Sequence, residues 1–208
     1  MATPKLNRIY DQFVRGIGTR WETSFDVDGS SAIPDSNLIQ KEIIPKYINA
    51  AISRFFFEIV LQFTPKDIML KFPELVKKTS ALVFTAGVWA VGDNYKNIFV
   101  VTGAWTKNNE YISIWDAEIY PIAKTQQNRS YIATTSQPAL IQLDNSLHVF
   151  PTSVSDVHVQ YIAKLVDPTT GGEFIQNGSN DIPLSYHHLD KLSQIAIELY
   201  KQASMETT

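Results

Sequence analysis

A chain of 208 residues, 44% apolar and 19% charged, is long enough to bury a core without metal or disulfide staples and lies outside the disordered class. Cysteine is absent, which excludes a disulfide framework, a thiolate nucleophile and any cysteine metal site. Eighteen basic against twenty-one acidic residues give a formal net charge of -3, without the basic excess that gripping a phosphate backbone requires.

Met1-Ala2-Thr3-Pro4-Lys5 does not read as a signal peptide, so a cytoplasmic start is expected. The most apolar stretch, Ala81 to Val91, falls far short of the roughly 20 residues that span a bilayer, and no membrane association is expected. Leu6, Ile9, Tyr10, Phe13, Val14 and Ile17 repeat at three and four, predicting a short first helix that Gly16 and Gly18 would end. Trp21 to Ile33 is rich in Ser, Asp and Gly and reads as a long exposed loop. A wide apolar stripe from Ile44 through Ile48, Ile52, Phe55 and Ile59 to Phe63 predicts one long amphipathic helix, with Pro45 tolerable in its first turn. Thr64 then reads as an N-cap before Pro65 at the first position of a shorter helix. Beyond Pro73, Glu74 to Ser80 reads as another helical turn or two.

After residue 80 the vocabulary becomes β-branched and aromatic. Leu82 to Phe84, Val88 to Val91, Asn97 to Val101 and Tyr111 to Trp115 are strand candidates, with turns at Gly87, Gly92-Asp93-Asn94 and Lys107-Asn108-Asn109. Asp116 to Lys124 reads as a short helix. Ala139 to Leu143, Leu147 to Phe150 and Val157 to Leu165 complete the β region, the first two joined by the tight link Asp144-Asn145-Ser146. Leu189, Leu192, Ala196, Leu199 and Tyr200 share one face of a final helix with Ser185 at its N-cap, and the tail from Ser204 to Thr208 is expected to be unordered. The expected class is α+β: a helical part over 1–80, a β-rich part over 81–184, and a C-terminal helix and tail over 185–208, within one structural domain.

No set of residues carries a catalytic signature. G-x-S-x-G, the phosphate-binding G-x-x-x-x-G-K-[ST] and a strand-following G-x-G-x-x-G are missing. His187 and His188, with Asp190 nearby, are the obvious metal candidates, but adjacent helix residues point about 100° apart, so a polar first turn is the favoured reading. His148 and His158 alternate with apolar neighbours and belong on the polar face of a sheet. Asp26 and Asp28 beside Gly29 lack the rest of a calcium loop. Lys66, Lys71, Lys77 and Lys78 form the only basic cluster and read as a solvated helix face. Trp21, Trp89, Trp105 and Trp115 read first as core; a second reading takes the last three as an aromatic platform of a carbohydrate- or receptor-binding β module. No enzymatic activity, cofactor or metal is expected.

The order of motifs resembles the head-to-tail adaptor, or connector ring, proteins of tailed bacteriophages of the short-tailed or crAss-like type. Ile44-Pro45-Lys46-Tyr47-Ile48-Asn49-Ala50-Ala51-Ile52 is similar to that family's leucine-asparagine-x-alanine helix. It is followed by Gln137-Pro138-Ala139-Leu140, Leu147-His148-Val149-Phe150-Pro151, Val157-His158-Val159-Gln160-Tyr161-Ile162, Asp181-Ile182-Pro183 and a closing helix, so the likeness covers nearly the whole chain. The resemblance implies a virion structural protein at the head-to-tail junction, assembled in the host cytoplasm as a ring of commonly twelve copies between portal and tail. Its partners would be itself, the portal protein, adjacent tail or ring proteins, and DNA passing through the lumen without specific binding. It would extend the DNA channel and help to retain and deliver the genome. On this reading the loop from Trp21 to Ile33 and the segment from Asp167 to Asn180 are candidates for ordering on assembly. The long centre from Asn94 to Tyr120 would be an insertion touching another ring or a tail fibre.

Overall fold

The structure, a computed structural model, describes residues 4–17, 20–21, 38–39, 43–90, 95–125, 132–144, 146–167, 170–174, 182 and 184–206. Helices and strands are mixed, as expected for the α+β class. The chain divides into two compact units: residues 1–63, 165–167 and 172–208 form one, and residues 64–164 and 168–171 the other. These boundaries differ from the expected breaks at 80 and 184. The reason is local: residues 76–78 pair with a late strand of the β unit, while Leu165, Phe174, Ile182 and Leu184 are buried outside any strand.

The first unit is built on helices α1 (Pro4–Ile17), α2 (Ile43–Gln62) and α5 (Tyr186–Glu206), with a two-residue parallel pair, β1 (Arg20–Trp21) and β2 (Leu38–Ile39), beside them. Helical spacing places Ile9 and Phe13, then Ile44, Ile48, Ile52, Phe55 and Ile59, then Leu189, Leu192 and Ala196 on facing stripes, and all are buried. Each helix also contributes one ring to an aromatic cluster: Phe13 lies 6.2 Å from Tyr47 and 5.8 Å from Tyr200, and Tyr47 lies 5.3 Å from Tyr200. Such edge and offset contacts add to simple burial. A polar seam fixes the pairing of α1 with α5, where Ser193 Oγ donates to Gln12 Oε1 at 2.8 Å. Arg8 and Gln12 meet Asp190 at 2.8 and 2.7 Å, and the bond from Gln12, then that from Arg8, holds its carboxyl below the usual range. Helix α5 runs on to Glu206, correcting the expected tail from Ser204; Ser204 Oγ returns a bond to Tyr200 O at 2.8 Å.

In the second unit α3 (Pro65–Lys71) begins as its sequence predicts, with Thr64 and Asp67 in a reciprocal capping box and proline at the first position. A single tight turn, Pro73–Leu75, follows, and then the helical expectation fails: Val76–Lys78 is strand β3. Two lysines favour strand poorly, but pairing with Gln160 to Ile162 outweighs propensity. Thr79 prolongs the pairing: its amide donates to Val159 O at 2.9 Å and its hydroxyl accepts from Val159 N at 3.0 Å.

The remaining strands are β4 (Leu82–Val83), β5 (Val88–Ala90), β6 (Ile98–Thr106), β7 (Ser113–Trp115), β8 (Ala139–Leu143), β9 (Ser146–Phe150) and β10 (Asp156–Ala163), with α4 (Tyr120–Thr125) after β7. In one sheet β10 is central, with β3 and β4 along one side and β6 along the other. The other runs β5-β9-β8-β7, all antiparallel except β7 with β8. The two are stitched at both margins: Thr85 and Val88 exchange backbone bonds of 2.9 and 3.0 Å, and Ile112 N donates to Ala104 O at 2.9 Å. The pair therefore approaches a closed barrel around Leu82, Val101, Ala104, Leu140, Val149, Val157, Val159 and Tyr161. Ile98, Val101, Ala104 and Ile112 are buried in this core, so the strand candidates expected at Asn97 to Val101 and Tyr111 to Trp115 contribute to it.

Gly87 turns β4 into β5 with φ +76°, and an added Cβ would meet Val149 O at 2.8 Å. Gly87→Ala is expected to cost more than about 1 kcal/mol, since left-handed backbone and a carbonyl clash act together. Thermal melting checks this; an unchanged midpoint would show that the turn relaxes freely. The loop residues 22–33, the turn Gly92-Asp93-Asn94 and the segment 175–181 lie outside the described residues. Among the described residues no helix is long and apolar enough to cross a membrane.

Candidate functional site

Two concavities lie in the β unit. The first, about 630 Å³, runs along the start of β6, with Ile98 to Val101 as its floor and Trp115, Asp116, Gln142 and Lys164 on its walls. Gln142 belongs to β8 but behaves as a missing strand. Its Oε1 accepts from Val101 N at 2.8 Å and its Nε2 donates to Phe99 O at 2.9 Å, so one side chain satisfies the edge of β6 and ties the two sheets.

The second concavity, about 500 Å³, lies on the outer face of β3, β10 and β6, between Lys78, Trp105, Asn109 and His158. Strand alternation sends Val157 and Val159 inward and leaves His158 and Gln160 outside. His158 is opposite Trp105, and Trp105 bridges to Tyr111, so three rings form one cross-strand row; Gln160 lies between Gly103 and Lys78 in the next. Gly103 lets the indole approach the strand closely: a Cβ there would stand 2.6 Å from the Trp105 ring. Lys78 Nζ lies 5.5 Å from the Trp105 centroid. Lys77 and Lys78 thus sit on a strand rather than the expected solvated helix face, and Lys66 and Lys71 sit on α3.

The three tryptophans of the suggested platform do not come together. Trp89 and Trp115 occupy opposite margins of one sheet, three strand spacings or about 14 Å apart. They also take opposite faces, Trp89 packing toward the barrel core and Trp115 against Ile141 and Phe150 under α4. Trp105 stands in the other sheet. His187 and His188 do converge, with centroids 3.8 Å apart and both Nδ1 atoms within 3.0 Å of Ser185 Oγ, because each ring leans back to Ser185. The rings meet although adjacent helix positions point about 100° apart. Asp190 turns instead to Arg8 and Gln12. Among the described residues no group of three His, Asp or Glu side chains is arranged to hold a metal ion. Asp26 and Asp28 lie outside them.

His148 meets Tyr120 edge-on at 4.7 Å, with Nε2 3.0 Å from Ser146 Oγ. Burial first, and the Lys124 charge second, hold its pKa below the usual 6.5. The depressed direction means that the unfolded chain takes up a proton before the folded one does. Stability present above the usual value is therefore lost as pH falls below it. His148→Gln should flatten the pH dependence of the urea midpoint between about pH 7.5 and 5; an unchanged slope would remove His148 as its source.

Compared with known proteins, the sequence matches no family model and no curated relative.

Proposed function

We propose that this chain is a structural protein of a tailed-phage virion that assembles as a ring between portal and tail, extends the DNA channel and helps to retain and deliver the genome. The observation that carries the reading is the outward face of α2. Lys46, Ala50, Ser53, Arg54, Phe57 and Leu61 fall on one exposed stripe, and Phe57 and Leu61, one turn apart, are 62% and 69% exposed. A helix that is apolar on its core face and also exposes Phe57 and Leu61 on its outer face has apolar surface that a neighbouring copy could cover. A second copy docking its own different surface there makes a heterologous contact, and repetition of such a contact closes a ring when the rotation divides a full turn.

The motif order quoted above supplies the identity of that ring, and the formal charge of -3 suits a conduit, because a strongly basic lumen would hold DNA against ejection. Ring assembly accounts for the exposed Phe57 and Leu61 without requiring any converging catalytic group. The test is mass photometry and negative-stain imaging of the full chain, alone and with a phage portal protein. Closed rings, free or seated on the portal, are the expected result. A particle that stays monomeric at all concentrations and beside the portal would refute the reading.

A further inference from the structure

We propose a binding site for an acidic saccharide in the groove on the outer face of β3, β10 and β6, independent of ring assembly. Four observations converge there. The Trp105 indole packs close over Gly103 on the outer side of the sheet, and an indole stacks on the C–H face of a pyranose. Tyr111, paired with Trp105 and 61% exposed, continues the aromatic surface along the same row. His158 and Asn109 line the groove with groups that hydrogen-bond hydroxyls, the second held at a turn with φ +63°. Lys78 brings a cation to the ring, and among the described residues no carboxylate pairs with it.

The number of charges selects the ligand class. A polynucleotide is held by several cations spaced along its backbone, and its affinity grows with each phosphate neutralised. This groove has one lysine and no carboxylate among its lining residues, in a chain of net negative charge. One ammonium, a stacking indole with Tyr111 paired beside it, and hydrogen-bonding groups without a carboxylate match a sugar ring with a single carboxylate, a uronic or sialic acid unit. On binding, the Lys78 ammonium exchanges its contact with the indole for a charge-assisted bond to that carboxylate.

The test is a tryptophan-fluorescence titration of the full chain with sialyllactose, a hyaluronan tetrasaccharide, lactose and an oligothymidylate. At least one acidic sugar is expected to give a saturable response that lactose does not match. Lys78→Gln is expected to weaken it by about tenfold or more, the value of one charge-assisted bond. Trp105→Ala should abolish the response and Trp105→Phe retain part of it. Lys78→Gln is a surface change, so the test stands even where Trp105→Ala loosens the sheet. The proposal is overturned when neither acidic sugar saturates, when lactose binds equally, when Lys78→Gln leaves the affinity unchanged, or when only the oligothymidylate binds.

Discussion

Replacing Phe57 and Leu61 together by lysine is expected to abolish the proposed ring formation while leaving the monomer folded. Both side chains stand on the outer stripe of α2, so their removal takes nothing from the core formed by Ile48, Ile52, Phe55 and Ile59. Exposed substitutions of this kind stay within about 0.5 kcal/mol of the parent stability. Lysine is chosen because Leu61 lies next to the last residue of α2, where a cation suits the helix dipole and a carboxylate would oppose it. At an interface the accounting differs. Burying a Phe or Leu side chain stabilises by about 1.5–3 kcal/mol each, so every subunit contact would lose roughly 3–6 kcal/mol together with the cost of burying two charges. Because closure of the proposed ring would repeat the same contact around the axis, the loss would appear as absence of rings, not as a weaker ring. Phe57→Met, which keeps an apolar side chain, should retain assembly. Mass photometry and circular dichroism on the same samples decide it: rings that persist in the double lysine variant would move the interface elsewhere.

The parts of the fold legible in the sequence are those whose signal is local. The α2 stripe, the Thr64-Pro65 start of α3 and the hairpin of β8 and β9 each depend on residues within one element or one turn, and each stands where its pattern placed it. Strand β3 was hidden because Lys77 and Lys78 carry no strand preference, and their pairing partner, Gln160 to Ile162, lies more than eighty residues away in sequence. Strand β6 runs five residues past its expected end at Val101, through Gly103, because β10 pairs with it as far as Thr106. Glycine in a strand reads locally as a break, yet Gly103 is the position over which Trp105 lies.

The groove shows the same limit. Trp105, Lys78 and His158 all stood out in the sequence, but for different reasons and in different company. Lys78 looked helical, His158 looked like an ordinary polar-face residue, and Trp105 was grouped with Trp89 and Trp115. The grouping by residue type failed because the register of β10 against β3 and β6, which brings the three together, is set by inward Val157, Val159 and Tyr161. The only sequence signal for the site was the alternation of β10 itself, which placed His158 outside; nothing named its neighbours across the sheet.

Gln142→Leu is expected to destabilise the β unit by about 2–4 kcal/mol, because two backbone groups lose their partner in one step. Val101 N and Phe99 O both end on this side chain, at 2.8 and 2.9 Å, and leucine keeps the volume while offering neither an acceptor nor a donor. In a chain of this size such a loss lowers the melting midpoint by roughly 5–15 °C. Gln142→Glu separates the two bonds. A carboxylate still accepts from Val101 N but faces the lone pairs of Phe99 O. At neutral pH the variant should therefore resemble leucine, and it should recover stability as acidification protonates the carboxyl and restores a donor. The sign is that of a carboxyl whose folded pKa is raised: stability present at low pH is lost as pH rises from the unfolded value, about 4.3, toward the folded one. The parent, titrated over the same range, supplies the baseline. A leucine variant melting within about 2 °C of the parent would show that water or a shift of β6 replaces both bonds, and that the sheets are held by their apolar interior alone.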